Sequence, residues 1–120
     1  MGMKLLFVGE ERSPTAIRMN VTWEDKRLAG KQLFDAFDEL GIDYSEFRFT
    51  NIKEPEYFLS LADKAMKEKV TIIGMGNFVQ RILSNMNIKH KKLIHPAARG
   101  SIRRKSTYAN HVKEVLKECD

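Results

Sequence analysis

Short apolar segments alternate with longer amphipathic segments along the chain, and this alternation is the feature that most constrains the fold. Four segments have the pattern of short buried strands: Lys4–Val8, Ser45–Phe49, Val70–Ile73 and Lys92–Ile94. Apolar residues recur at helical spacing in Leu28–Leu40, Tyr57–Lys67, a segment that begins at an Asn77 N-cap, and Tyr108–Lys117. Because strands that alternate with helices form parallel sheets covered on both faces, we expect an α/β fold. The prediction is a three-layer sandwich with a four-stranded parallel sheet.

Length and composition predict that residues 1–120 form one folded domain. Met1-Gly2 is read as a cloning remnant. The chain is 42% hydrophobic and 31% charged, which argues against disorder. It has no apolar run near the roughly 18 residues of a membrane span, and its start lacks the pattern of a signal peptide. Cys119 is the single cysteine, which excludes an internal disulfide and any site built from several thiolates. We therefore expect a cytoplasmic monomer without membrane contact or cofactor.

The positive charge is concentrated in one segment. Residues 89–105 hold seven Lys or Arg residues and no acid, whereas the other 14 basic and all 16 acidic residues lie elsewhere. A basic segment on a nearly neutral body is typical of a protein that binds a polyanion. A solvated face that only promotes solubility has the same composition, so the charge alone leaves both interpretations open.

Polar residues and glycines follow each predicted strand. The four strand ends carry Gly9-Glu10, Thr50-Asn51, Gly74–Asn77 and His95-Pro96. In open parallel sheets, ligands bind beyond the carboxyl ends of the strands. The longest stretch without a predicted element, Gly9–Arg27, also starts at this edge, and long loops in compact domains are often functional. The sequence therefore predicts a binding site at the carboxyl edge of the sheet.

These strand-end residues, in this order, resemble the motifs of the uracil-DNA glycosylase superfamily, above all its thermophilic iron–sulfur branch. That branch has a Gly-Glu-Ala-Pro-Gly loop after its first strand and Thr-Asn after its second. A Gly-Asn helix start follows its third strand, and a His-Pro-Ser loop follows its fourth. The corresponding residues here are Gly9-Glu10, Thr50-Asn51, Gly76-Asn77 and His95-Pro96-Ala97, and Arg27–Phe34 resembles the family's Ala-Gly helix. The likeness runs along nearly the whole chain, although each motif is only two to four residues long.

The resemblance implies an enzyme that flips uracil or a modified pyrimidine out of single- or double-stranded DNA and hydrolyses its N-glycosidic bond. It implies that Glu10 orients water and stabilises the cationic sugar, and that His95 donates to the departing base. It assigns base binding to Gly9, Trp23, Asn51 and Asn77, with Trp23 stacking on the base and Asn51 reading its Watson–Crick edge. It places DNA contacts at Arg99, Ile102, Arg103, Arg104 and Lys105, with Arg99 or Ile102 as the wedge that fills the gap in the stack. A prokaryotic protein of this kind would associate with the nucleoid.

The chain departs from the family pattern at several places. One cysteine replaces the family's four, so no iron–sulfur cluster carries over. In the first loop Glu11 follows Glu10 and the proline is displaced to Pro14, which leaves open which of the two carboxylates works. Ala97 replaces the serine of the last loop, and the chain is shorter than the family's usual members. A minimal enzyme, an enzyme with another base preference and a non-catalytic relative all fit these departures.

Other chemistries fit less well. Gly74–Val79 resembles the start of a dinucleotide fingerprint, but the third glycine and the acidic residue about 20 positions later are missing, which argues against NAD. His90, His95 and His111 lack the spacing of metal ligands. Neither Ser13 nor Cys119 has the context of a catalytic nucleophile.

Each candidate residue also has a purely structural interpretation. Asn51 suits a turn, His95 a polar loop, Trp23 a cover for the core and Glu10 a solvated surface. Three classes of function therefore stay open. The first is a DNA glycosylase, and the second is a non-catalytic module of the same fold that binds nucleic acid or a nucleotide as a regulator or decoy. The third is a hydrolase or transferase acting on free nucleotides.

Overall fold

The computed structural model describes residues 3–11, 14–98, 100, 102 and 104–119, and it confirms the three-layer α/β sandwich with a four-stranded parallel sheet. The strands are β1 (Leu5–Gly9), β2 (Phe47–Asn51), β3 (Thr71–Met75) and β4 (Lys91–Leu93). Their order across the sheet is β2-β1-β3-β4, and every neighbouring pair is parallel. The carboxyl ends of all four strands therefore lie at one edge.

Helices cover both faces of this sheet. They are α1 (Pro14–Met19), α2 (Ala29–Glu39), α3 (Pro55–Lys67), α4 (Asn77–Asn85) and α5 (Lys105–Lys117), with a 3₁₀ turn at Trp23–Asp25. The helices α2 and α5 pack against each other on one face, and α3 and α4 cover the other. Within the described residues, none of these helices has the length and apolar character needed to cross a membrane.

The two faces bury different side chains. On the α2 and α5 side, phenyl rings pack with centroids 5.1 to 5.6 Å apart: Phe7, Phe34, Phe37, Phe47 and Phe49. The opposite core is mainly aliphatic and includes Leu6, Val8, Ile72, Val79 and Leu83. Because successive side chains of a strand point to opposite faces, the apolar run of β1 supplies both cores. This explains why the sequence of β1 shows no polar alternation.

The predicted elements are confirmed, but most of their boundaries differ from the prediction by one to three residues, and two of these differences concern the carboxyl edge of the sheet. The second strand lies two residues later than predicted, so Thr50 and Asn51 belong to β2, where Asn51 is in register with Gly9. Asn77 is the first residue of α4, and Gly76 takes the N-cap position that we had predicted for Asn77. Gly76 has a φ of +94°, which L-residues rarely adopt, and its N–H donates to the carbonyl of Leu93 over 2.9 Å.

The stretch Gly9–Arg27, predicted to lack regular structure, contains α1 and the 3₁₀ turn. Ala16 and Val21 are buried and anchor the segment, and the N–H of Val21 donates to the carbonyl of Ala16 over 2.8 Å. The Thr22 N–H donates to the Asp25 carboxylate over 2.7 Å, which starts the 3₁₀ turn. A six-residue helix with one buried residue is too short to produce a periodic apolar pattern.

Candidate functional site

A cavity of about 400 Å³ opens at the carboxyl edge of the sheet. Its volume falls in the range of small-molecule sites. Five residues that the sequence singled out line it together: Glu10, Trp23, Asn51, Asn77 and His95. They come from the ends of β1 and β2, the 3₁₀ turn, the start of α4 and the loop after β4. Parallel strand direction is what brings these distant segments to one place.

A chain of hydrogen bonds holds the Asn51 side chain. The indole Nε1–H of Trp23 donates to Oδ1 of Asn51 over 3.1 Å, and Nδ2 of Asn51 donates to Oε2 of Glu54 over 2.7 Å. An indole N–H can only donate and a carboxylate can only accept, so these partners fix which end of the amide carries the oxygen. Asn51 is only 4% exposed, and its amide is therefore a preset polar group in the cavity wall.

Gly9 makes room for this arrangement. A Cβ at residue 9 would lie 2.7 Å from Oδ1 of Asn51 and 3.1 Å from Cζ2 of Trp23. The first distance is shorter than Cβ contacts in proteins and the second is unusually tight, so a side chain at residue 9 would displace the amide and crowd the indole. Gly9 thus shapes the site through its missing side chain.

His95 lines the same cavity with a defined tautomer. The N–H of Ala97 donates to Nδ1 of His95 over 3.0 Å, so Nδ1 is an acceptor and the neutral ring carries its proton on Nε2. Burial lowers the pKa of His95, and the Glu10 carboxylate opposes this effect without reversing it. The His95 ring also packs against the Trp23 ring, with centroids 5.9 Å apart. At neutral pH the site therefore holds an uncharged imidazole with one N–H to donate.

Helix α5 holds the peptide that precedes His95. The N–H of Ile94 donates to Nε2 of His111 over 2.9 Å, and the hydroxyl of Tyr108 donates to the carbonyl of Ile94 over 2.8 Å. Burial lowers the pKa of His111, which agrees with its role as an acceptor. Sequence reasoning missed both partners, because they meet Ile94 only through the packing of α5 against β4.

The carboxylates of Glu10 and Glu11 share one lysine. Nζ of Lys53 lies 3.0 Å from Oε2 of Glu10 and 3.4 Å from Oε1 of Glu11. The same ammonium lies 5.5 Å from the centroid of the Phe78 ring. The hydrogen bond to Glu10 and, to a smaller extent, the one to Glu11 raise the pKa of Lys53. Lys53 therefore stays protonated and is not a nucleophile. Both glutamates line the cavity, and the geometry does not separate their roles.

A strained turn forms part of the cavity rim. Leu28 has φ +56° and ψ −129°, a conformation that suits glycine and costs other residues about 1–3 kcal/mol. The turn is closed by the N–H of Gly30, which donates to the carbonyl of Arg27 over 3.0 Å. The Leu28 side chain lines the cavity and is 44% exposed. Leucine is retained where the backbone favours glycine.

The predicted DNA contacts fall in three groups. Arg99 and Arg103 lie outside the described residues. Ile102 is half-buried and packs against the aromatic core, which leaves less of its side chain for insertion between bases. Arg104 and Lys105 are exposed at the start of α5. Lys92 in the edge strand β4 and Lys89, two residues before this strand, are also exposed. The loop that carries His95 therefore connects two basic segments.

The described residues contain no group of three or more His, Cys, Asp or Glu side chains placed to hold a metal ion. Comparison of the sequence with protein-family models and with curated proteins gives no match. The geometry of the cavity is therefore the basis for assigning a function.

Proposed function

We propose that this protein is a DNA N-glycosylase that takes one pyrimidine base, uracil first of all, into the cavity and hydrolyses its bond to deoxyribose. One observation carries the proposal: an amide, an aromatic ring, a neutral histidine and a carboxylate line a single cavity of about 400 Å³. These are the groups that base recognition and glycosidic hydrolysis require. They also lie in the chain order that the family motifs have.

The chemistry assigns each group a step. The bond between the base nitrogen and C1′ breaks, its electron pair leaves with the base, and the N–H of His95 stabilises the negative charge on the base carbonyl. The carboxylate of Glu10 or Glu11 stabilises the cationic sugar and orients a water molecule. The water oxygen then bonds to C1′, and its proton is released to neutralise the base. The products are a free base and an abasic sugar.

The placement of basic side chains supports a polyanionic substrate. Arg104 is the N-cap of α5 and Lys105 is its first residue, and the first turn of this helix contains no acid. Cations at a helix N-terminus oppose the helix dipole and destabilise the helix. A phosphate bound beside them would offset that repulsion, and each neutralised phosphate would steepen the salt dependence of DNA binding.

The test is release of uracil from oligonucleotides with one deoxyuridine, as single strands and opposite guanine or adenine. Alkaline cleavage at the abasic site is the readout. We expect Asn51→Ala, and either Glu10→Ala or Glu11→Ala, to lower the rate about 100-fold or more, whereas the exposed controls Asn110→Ala and Glu114→Ala keep it. The glutamate variant with the larger loss identifies the working carboxylate. Failure of the wild-type protein to release uracil or any modified pyrimidine would overturn the catalytic proposal.

The ion pairs of Lys53 favour a second candidate, a non-catalytic module that binds nucleic acid or a nucleotide. One lysine ammonium lies beside both carboxylates and offsets part of their negative charge, which weakens either of them as a stabiliser of a sugar cation. For such a module, Glu10→Ala leaves DNA affinity unchanged and no base is released. Arg104→Ala and Lys105→Ala lower the affinity and the salt dependence in both cases. Base release therefore separates the two candidates.

A further inference from the structure

The Asn51 amide is held at both ends and still has hydrogen-bonding capacity. Its Oδ1 uses one lone pair for the Trp23 N–H, and its Nδ2 uses one hydrogen for Glu54. An amide has two lone pairs and two N–H donors, so one acceptor and one donor remain. The Trp23 N–H can only donate and the Glu54 carboxylate can only accept, so the Asn51 amide cannot turn over without losing both hydrogen bonds. The positions of its remaining acceptor and donor are therefore fixed.

Backbone hydrogen bonds fix the position of residue 54 in the turn after β2. The N–H of Glu54 donates to the carbonyl of Asn51 over 3.0 Å, which closes a turn directly after β2. Pro55 follows at the start of α3, and the N–H of Phe58 donates to the carbonyl of Glu54 over 3.0 Å. The Glu54 side chain is half-buried and reaches back to Nδ2 of Asn51. The turn therefore places Oε2 of Glu54 where it accepts the hydrogen bond from Asn51.

We propose that Glu54 is a specificity-determining residue: with Trp23 it locks the Asn51 amide in the orientation that reads an imide edge, an N–H beside a carbonyl, as in uracil. Cytosine presents a ring acceptor beside an amino group, which needs the opposite orientation of the amide. In the locked orientation, Oδ1 of Asn51 would face the ring nitrogen of cytosine, which is also an acceptor, and Nδ2 would face the amino group, which is also a donor. This inference rests on the proposed function, because it takes Asn51 to face a pyrimidine.

Glu54→Gln tests the lock with little change in shape. Glutamine can donate as well as accept, so it no longer dictates the orientation of the Asn51 amide. Trp23→Phe removes the other restraint and keeps an aromatic ring. Glu56→Gln is the matched control, since Glu56 is exposed in the first turn of α3, two residues away. Thermal unfolding of each variant reports whether it folds.

The first readout is the rate ratio of uracil to cytosine release from otherwise identical single strands. We expect a wild-type ratio of about 100 or more, which Glu54→Gln lowers about tenfold and the double variant lowers further. Glu56→Gln leaves the ratio unchanged. If Glu54→Gln slows uracil and leaves the ratio intact, Glu54 is only structural and the proposal is wrong.

The second readout does not need catalysis. Trp23 is the only tryptophan, so its fluorescence reports ligand binding at the Asn51 network directly. We expect deoxyuridine to change this fluorescence at lower concentration than deoxycytidine, with a smaller difference in Glu54→Gln. A preference for deoxyuridine without base release would sink the glycosylase and keep the lock. Equal responses to both nucleosides, or a response to neither, would overturn the lock.

Discussion

The middle of the sheet and the carboxyl ends of the same strands are built on different principles. In β1, Leu6, Phe7 and Val8 are fully buried between two apolar cores, and any well-shaped apolar side chain satisfies such a position. Just beyond, Thr50 and Asn51 are the buried polar residues of the described chain. A buried amide costs free energy unless its hydrogen bonds are made, so this region depends on particular partners at particular distances.

The comparison separates the residues that stabilise the fold from those that shape the cavity. Substitutions in the middle of the sheet should change the free energy of unfolding strongly, whatever the ligand. Substitutions at the carboxyl ends should change the geometry of the cavity at a smaller cost in stability. The following experiments test this division in order of decreasing expected effect.

Phe7→Ala should have the largest effect. Phe7 is completely buried and its ring lies 5.2 to 5.6 Å from the rings of Phe37, Phe47 and Phe49. Removing it leaves a cavity among rings that cannot all collapse, which costs about 3–5 kcal/mol. Denaturation by urea measures the loss. The matched control is Phe78→Ala at the cavity, where the ring is 39% exposed and the expected cost is below ~1 kcal/mol. Similar losses at both positions would contradict the division.

Gly9→Ala should have an intermediate effect that falls on the site. The new Cβ would overlap Oδ1 of Asn51 and crowd the Trp23 ring, so both side chains must move. We expect a loss of about 1–3 kcal/mol together with a changed Trp23 fluorescence spectrum. Gly41→Ala separates overlap from backbone strain, because Gly41 has φ +66° and open space around it. That control should cost about 1–2 kcal/mol through the left-handed backbone alone and leave the spectrum unchanged. An unaltered spectrum in Gly9→Ala would refute the close packing.

Acidification should lower the stability of the protein through two histidines near the carboxyl edge of the sheet. Burial lowers the pKa of His95 and His111 below the ordinary value of 6.5. As the pH falls from about 6.5 through these lowered values, the unfolded chain binds protons that the folded chain does not, so stability decreases. Well above pH 6.5 the two histidines are uncharged in both the folded and the unfolded chain, so their effect on stability vanishes. The melting temperature between pH 8 and pH 5 measures this, and the decrease should be smaller than for either preceding substitution.

His111→Gln identifies one source of the pH effect. Glutamine retains an acceptor for the N–H of Ile94 but does not titrate. The variant should therefore lose part of the decrease in melting temperature below pH 6.5. A wild-type melting temperature that rises on acidification to pH 5 would show that other groups dominate.

The sequence predicted the middle of the sheet better than its edge for a physical reason. Apolar runs and helical spacing are local patterns, so the strands and the four longer helices could be identified. The rule for parallel sheets also placed Glu10, Asn51 and His95 together. The contacts that hold this edge could not be predicted, because they depend on side-chain distances in the folded chain. Lys53 pairs with Glu10, Glu54 accepts from Asn51, and His111 accepts from the N–H of Ile94, next to His95.

Leu28→Gly should have the smallest effect and the opposite sign. Glycine adopts the backbone angles of residue 28 freely, which removes about 1–3 kcal/mol of strain. Against this stand the greater freedom of glycine in the unfolded chain, about 0.5–1 kcal/mol, and the lost contacts of a half-exposed leucine. We expect a net gain of up to about 1 kcal/mol in urea denaturation.

Leu28→Ala is the control, because it loses the same contacts and keeps the strain, so it should be less stable than the wild type. If alanine were as stable as glycine, the rim of the cavity would not be strained. A gain with glycine alone would mean that Leu28 costs stability at the rim of the cavity, so its side chain would serve the shape of the cavity and not the stability of the fold.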